Sequence, residues 1–287
     1  MVAHQPLELR VGVQVPVGQP VKVGEHRQKK KKPKGCSCER PAAMMVTHER
    51  PGFLMATVTS FLVTAPDTHL YVFDDGSETK EKLTELNTVK SLGVEVVKFP
   101  HRGFAETWLD AFRYAKENFV AYDSLVMLED DIVFAQGWLD VLAKMQRGIA
   151  ELGFKQGFTS CLRPHLRPQS NVVELNGVEA YQSMAHTWHV NMVPFELVEK
   201  INIIEDSVKE VKKSTRGLGL DVYLVGNLAH RLKRVSFVAM QSWVGHMGFN
   251  HSLVASQGFG SCKHPGVNLV EELQSLTRGF EKQCATC

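Results

Sequence analysis

The sequence predicts an α/β fold in which a mainly parallel central sheet carries helices on both faces. Two observations predict it. From residue 42 onward, short apolar runs alternate with longer segments of helical periodicity, the order that builds parallel sheets. The polar residues also gather just after the apolar runs, at the carboxyl ends where such sheets bind ligands. At 287 residues, 44% hydrophobic and 22% charged, the chain has ordinary globular composition and enough length to bury a core around that sheet.

The first strand is "AAMMVTH", followed by a helix in "ERPGFLMATVTSFLVTA" with Leu54, Val58, Phe61 and Leu62 at helical spacing. "HLYVFDDGS" is a second strand ending in a turn, and "VEVVKFP" a third. A helix follows in which Trp108, Phe112, Ala115 and Phe119 share one face. "SLVMLEDD" is a fourth strand, apolar until its acids, and the next helix carries Trp138, Leu142, Met145 and Ile149. The pattern then loosens. "GFTSCL" reads as a strand, "NVVELNGVEAYQS" as a hairpin turning at Asn-Gly, and "HTWHVNMV" as a half-buried strand alternating Trp188, Val190 and Met192. A helix over "LDVYLVGNLAHRLK" and a strand "VSFVAM" precede a tail rich in Gly, Ser and His.

The formal charge of +2 hides an asymmetry: residues 1–40 hold nine Lys/Arg against three Asp/Glu, so the remainder is net acidic. The excess lies in "HRQKKKKPKG", a solvated basic arm able to contact nucleic acid or another anion. Residues 1–40 are therefore expected to be an arm, 41–252 the main domain and 253–287 a tail. No apolar run reaches the roughly 18–20 residues of a membrane span, and the N-terminus lacks a signal-peptide core. The expectation is a cytoplasmic protein with reduced thiols and no membrane partner. Cys36 and Cys38 before the main domain, with Cys284 and Cys287 at the end, form two short pairs that could hold one structural zinc ion and clip the ends together; Cys262 and His264 are spare ligands.

The chemistry concentrates at two acidic strand ends, Asp74–Asp75 and Glu129–Asp130–Asp131. Three adjacent acids repel and are costly to desolvate, so something positive must sit against them. The chain has neither a G-x-x-x-x-G-K-[ST] loop nor a G-x-G-x-x-G turn, which argues against P-loop and dinucleotide sites. A site in which carboxylates hold Mn²⁺ or Mg²⁺, and the ion holds a diphosphate, accounts for both strand ends. A dehalogenase-like phosphatase built on "VFDDGS" would need two aspartates one residue apart, whereas Asp74 and Asp75 are adjacent. A non-catalytic, zinc-clipped nucleic-acid-binding protein would explain the arm and the cysteines but leave the acids without a role.

In their order and spacing, "MMVTHERPGFLMATVTSFL", "YVFDDGS", "VMLEDDIVFAQGW" and "SWVGHMG" resemble the GT-A fold glycosyltransferases, over about residues 42–252. The resemblance implies a GT-A-like sheet with a smaller antiparallel acceptor-side region, and a hexosyltransferase using a UDP-type donor such as UDP-glucose. It implies that Asp131 and His246 bind the metal, that Asp130 assists through water or the sugar, and that Glu129 helps close the site. Thr47, Arg50 and one of Asp74 and Asp75 would contact the nucleoside, with Arg102 beside them. Asp221 is placed as acceptor base, although a helix-capping role fits it equally. The acceptor hydroxyl could belong to a saccharide, a protein side chain or a hydroxymethylated base in viral DNA, which Arg231 to Arg234 and the arm would help to hold.

Overall fold

The computed structural model describes residues 40–119, 121–162, 172–183, 189–213 and 220–247, apart from the side chains of Asp221 and Val222. The basic arm, the tail, His186, Trp188 and the four cysteines of the expected zinc clip lie outside the described residues.

The strands β1 (Pro41–Thr47), β2 (His69–Asp75), β3 (Glu95–Phe99) and β4 (Ser124–Glu129) pair in parallel in the order β3-β2-β1-β4. Past β4 the sheet continues through β9 (Val190–Pro194), β6 (Lys155–Ser160), β10 (Arg234–Ala239), β8 (Val178–Gln182) and β7 (Val172–Leu175). β9 runs antiparallel between β4 and β6, and β8 antiparallel to β10, so the half beyond β4 is mixed. The hairpin β7–β8 turns at Asn176 and Gly177, both at positive φ, as the Asn-Gly pair requires. β9 is more enclosed than its alternation suggests: it lies between two neighbours, and all five of its residues are buried.

Helices α1 (Phe53–Thr64), α2 (Lys80–Ser91) and α4 (Trp138–Glu151) cover one face of the sheet. Leu54, Val58, Phe61, Leu86 and Trp138 meet Ala43, Met45, Val126 and Leu128 there. Helices α3 (Phe104–Asn118), α5 (Ile201–Lys213) and α6 (Leu220–Leu232) cover the other face, where Trp108, Phe112, Ile204 and Leu224 meet Ala42, Met44, Leu125 and Met127. Alternate residues of β1 and β4 thus feed two separate cores, as expected of strands buried on both faces. Among the described residues no helix is long and apolar enough to cross a membrane.

α2 has no counterpart in the apolar patterning because two of its four buried residues are Lys82 and Glu85. Lys82 is wholly buried; its Nζ donates to Glu85 Oε2 at 2.9 Å and to the Arg50 carbonyl at 3.2 Å. Glu85 Oε1 in turn accepts from the backbone N–H groups of Gly52 and Met55, at 2.9 and 3.0 Å, where α1 begins. From the other side, the Glu49 carboxylate accepts from the N–H groups of Glu78 and Thr79 at the start of α2. The Glu78 N–H and the Thr79 hydroxyl draw its pKa down to about 2. The loop between β1 and α1 is therefore stapled to α2 along its length, and this sets the position of Arg50.

Candidate metal centre

Glu129 is the last residue of β4 and Asp130 and Asp131 follow it directly, and the backbone around them is pinned by buried hydroxyls. Thr57 Oγ1 donates to the Asp130 carbonyl at 2.8 Å and accepts from Ile132 N at 3.0 Å; Ser60 Oγ accepts from Phe134 N at 2.9 Å. Beyond them β5 (Ile132–Phe134) forms a small second sheet with β11 (Val244–His246), pairing His246 with Ile132. Met247 N donates to the Asp131 carbonyl at 2.7 Å, which closes that pairing beside the acids.

The positive partners are Arg50 and Lys82. Asp130 is fully buried, and its carboxylate accepts from the Thr47 hydroxyl and from Arg50 Nη2, with Lys82 Nζ 3.9 Å away. Burial pushes its pKa up to about 6, against the pull of Arg50 and Thr47. Asp130 thus spends its carboxylate on Thr47 and on Arg50, whose own side chain is about half exposed. Arg50 Nη1 also donates to Asp131 Oδ2 at 2.8 Å, and burial of its guanidinium is outweighed by Asp130 and Asp131, which hold its pKa above the usual value.

Asp131 is buried, and its Oδ1 takes no well-formed hydrogen bond; His246 Nε2 stands 3.3 Å from it. Burial opposes its ionisation, but His246, Arg50 and His189 prevail and hold its pKa below the ordinary range. His246 Nε2 is also 3.9 Å from Glu129 Oε2, the oxygen that His189 Nδ1 faces within hydrogen-bonding reach. The rings of His189 and His246 lie 4.3 Å apart. Glu129, Asp131, His189 and His246 each offer one ligand atom, all within 4.8 Å of one another. Two carboxylate oxygens and two imidazole nitrogens suit a divalent transition ion, and a buried oxygen without a good donor is what such an ion would satisfy.

His189 reaches this group through register. β4 pairs antiparallel with β9 as far as Leu128 opposite Val190, and Glu129 N donates to the His189 carbonyl at 3.1 Å. The alternation of "HTWHVNMV" separates His189 from Trp188, but nothing local in the sequence brings His189 to Glu129.

At the end of β2, one strand further along the sheet past β1, the aspartates are taken up by backbone N–H groups, by the Ser77 hydroxyl and by His101, whose Nδ1 lies 3.1 Å from Asp75 Oδ2. Asp74 is buried and accepts from the N–H and hydroxyl of Ser77. Asp75 accepts from Arg102 N at 2.8 Å and Gly103 N at 3.0 Å, ahead of α3. Gly76, at φ 67°, lets the turn lie against the next loop, since a Cβ there would come within 2.5 Å of His101 N. The Arg102 guanidinium turns to Asp110, 3.2 Å away on α3. The groups left at this edge are imidazoles: His48 and His101 stack at 4.4 Å, and the buried Nδ1 of His48 takes no hydrogen bond. With Asp75 they form a second group whose ligand atoms lie within 4.8 Å of one another. Asp221 falls in the first turn of α6, and its side chain lies outside the described residues.

No family model matches the sequence, and no curated protein matches it. Solved structures do. A crystal structure of GalNAc-T7 with UDP, GalNAc and Mn²⁺ superposes with a TM-score of 0.54 at 16% identity, over 72% of this chain and 43% of that one. S. aureus TarS gives 0.48 at 12% identity, over 71% and 36%, and the mannosyltransferase PcManGT of Pyrobaculum calidifontis with GDP-Man and Mn²⁺ gives 0.40 at 14%, over 56% and 46%. The chain spans less than half the length of each of these. The likeness to GalNAc-T7 is one of architecture: the chain has the GT-A glycosyltransferase fold expected from its strand-end motifs.

Proposed function

We propose that the protein is a metal-dependent glycosyltransferase that moves a sugar from a UDP-type nucleotide sugar to a hydroxyl acceptor. The observation that carries this reading is the convergence of Glu129, Asp131 and His246 at the carboxyl edge of a GT-A sheet, with Asp131 Oδ1 buried and short of a well-formed hydrogen bond. GalNAc-T7 shares the fold and was solved with UDP and Mn²⁺, which supports that choice of nucleotide and ion.

Glu129, Asp131 and His246 would hold the ion, which supplies Lewis-acid neutralisation of the departing diphosphate. Arg50 and Lys82 keep Asp130 compensated, and Arg50 fixes the far oxygen of Asp131 so that Oδ1 faces the site. His48 and His101, stacked beside Asp75, are the proposed wall for the nucleoside; Thr47 acts by holding Asp130, and Arg50 by holding both Asp130 and Asp131. In the transfer the bond from the anomeric carbon to the diphosphate oxygen breaks and a bond to the acceptor oxygen forms. The hydroxyl proton passes to a base, for which Asp221 is proposed in an inverting reaction. For the acceptor, a hydroxymethylated DNA base is the class favoured by the basic arm, with a saccharide or protein hydroxyl as the alternative.

The test is release of nucleoside diphosphate by the full chain from UDP-glucose, UDP-galactose, UDP-N-acetylhexosamines and GDP-mannose. DNA containing hydroxymethylated bases and simple saccharides serve as acceptors. Release that requires Mn²⁺, is lost in EDTA and is faster with a UDP-sugar than with GDP-mannose is the expected result. Release from none of the donors would overturn the reading.

A further inference from the structure

Resting on the metal-dependent reading above, we propose that His189 is a ligand of the ion, so that the centre is a two-imidazole, two-carboxylate site selective for transition ions over Mg²⁺. Three observations carry this. His189 Nδ1 faces Glu129 Oε2, the oxygen that His246 Nε2 approaches at 3.9 Å, so both rings address one side of one carboxylate. The rings lie only 4.3 Å apart, and the ligand atoms of all four residues fall within 4.8 Å of each other. The backbone of His189 is also fixed beside Glu129, because its carbonyl accepts from Glu129 N at the end of the β4–β9 pairing.

The donor set decides the ion. Mg²⁺ favours oxygen ligands and gives up water reluctantly, whereas imidazole suits the transition ions. With His246 alone the site would be mostly oxygen and would accept Mg²⁺ more readily. With His189 added, half the protein ligands are nitrogen, and the same site should prefer Mn²⁺ to Mg²⁺ and bind Zn²⁺ more tightly still.

The alternative for His189 is a positioning residue that hydrogen-bonds Glu129 without touching the ion. Pulsed electron paramagnetic resonance on the full chain with Mn²⁺, alone and with UDP, separates the two by counting the nitrogens coupled to the metal. The expected result is two coupled nitrogens in the wild type and one in either His189→Gln or His246→Gln. Mn²⁺ affinity should fall at least about tenfold in His189→Gln, since even outer-shell partners of metal ligands are worth that much. A hundredfold excess of Mg²⁺ should displace Mn²⁺ from this variant but not from the wild type. One coupled nitrogen in the wild type, unchanged by His189→Gln, would overturn the assignment while leaving the metal centre standing. No bound Mn²⁺ with or without UDP would overturn both.

Discussion

Asp131→Asn should lower Mn²⁺-dependent release of nucleoside diphosphate at least roughly a thousandfold, the equivalent of about 4 kcal/mol of transition-state stabilisation. The substitution keeps the shape of the side chain but removes its charge from the centre of the ligand group, where Oδ1 is buried and lacks a well-formed hydrogen bond. It should cost little in folding. Arg50 retains Asp130, and what is forfeited is the attraction of His246 and Arg50 for the Asp131 carboxylate. A loss of about 1 kcal/mol corresponds to a fall of only a few degrees in melting temperature. The check is the release assay beside circular-dichroism melting. Wild-type rates in the variant would remove Asp131 from the metal site.

Lys82→Met should have the opposite signature, a large loss of stability. Lys82 has no exposed surface, and its Nζ ties Glu85, the Arg50 carbonyl and, at 3.9 Å, Asp130. Methionine fits the stem but leaves the buried Glu85 without its cation and Asp130 with Arg50 alone. Removing one partner of a buried ion pair costs about 3 kcal/mol or more, which for a chain of this size lowers the melting temperature by about 6–12 °C. The loop carrying Arg50 should loosen at the same time, because Glu85, which caps the start of α1, loses the group that orients it. An unchanged melting temperature would show that the Lys82 ammonium contributes nothing to this network.

These two residues mark the limit of what the sequence makes legible. Asp131 stands just past a fully apolar run, and the position of such a run in an alternating α/β pattern announces a strand end, where a ligand site is to be sought. β1, β2, β4, α1, α3 and α4 follow from the same periodicity, because each buries an ordinary apolar stripe. α5 carries such a stripe too, in Ile203, Ile204 and Val208, although it stands outside the elements assigned from the sequence. Lys82 gives no such signal: a buried cation looks like a surface residue until its partners are known, and α2 was hidden with it. His189 is illegible for a different reason. Its place beside Glu129 depends on an antiparallel pairing across 60 residues, which local periodicity cannot register. The acids Asp74 and Asp75 are conspicuous as a motif, yet the structure spends their carboxylates on Ser77, on the approach to α3 and on the exposed His101, against which the half-buried His48 stacks.

Thermal unfolding of the purified chain with Mn²⁺, UDP, and both together decides whether the acidic end of β4 holds metal and nucleotide as one site. A ligand that binds only the folded state stabilises it by about 2.7 kcal/mol at a hundredfold excess over its dissociation constant. Stabilisation by Mn²⁺ and UDP together should exceed the sum of their separate effects and vanish in Asp131→Asn. No stabilisation by the pair, in a chain that unfolds cooperatively, would contradict a single site.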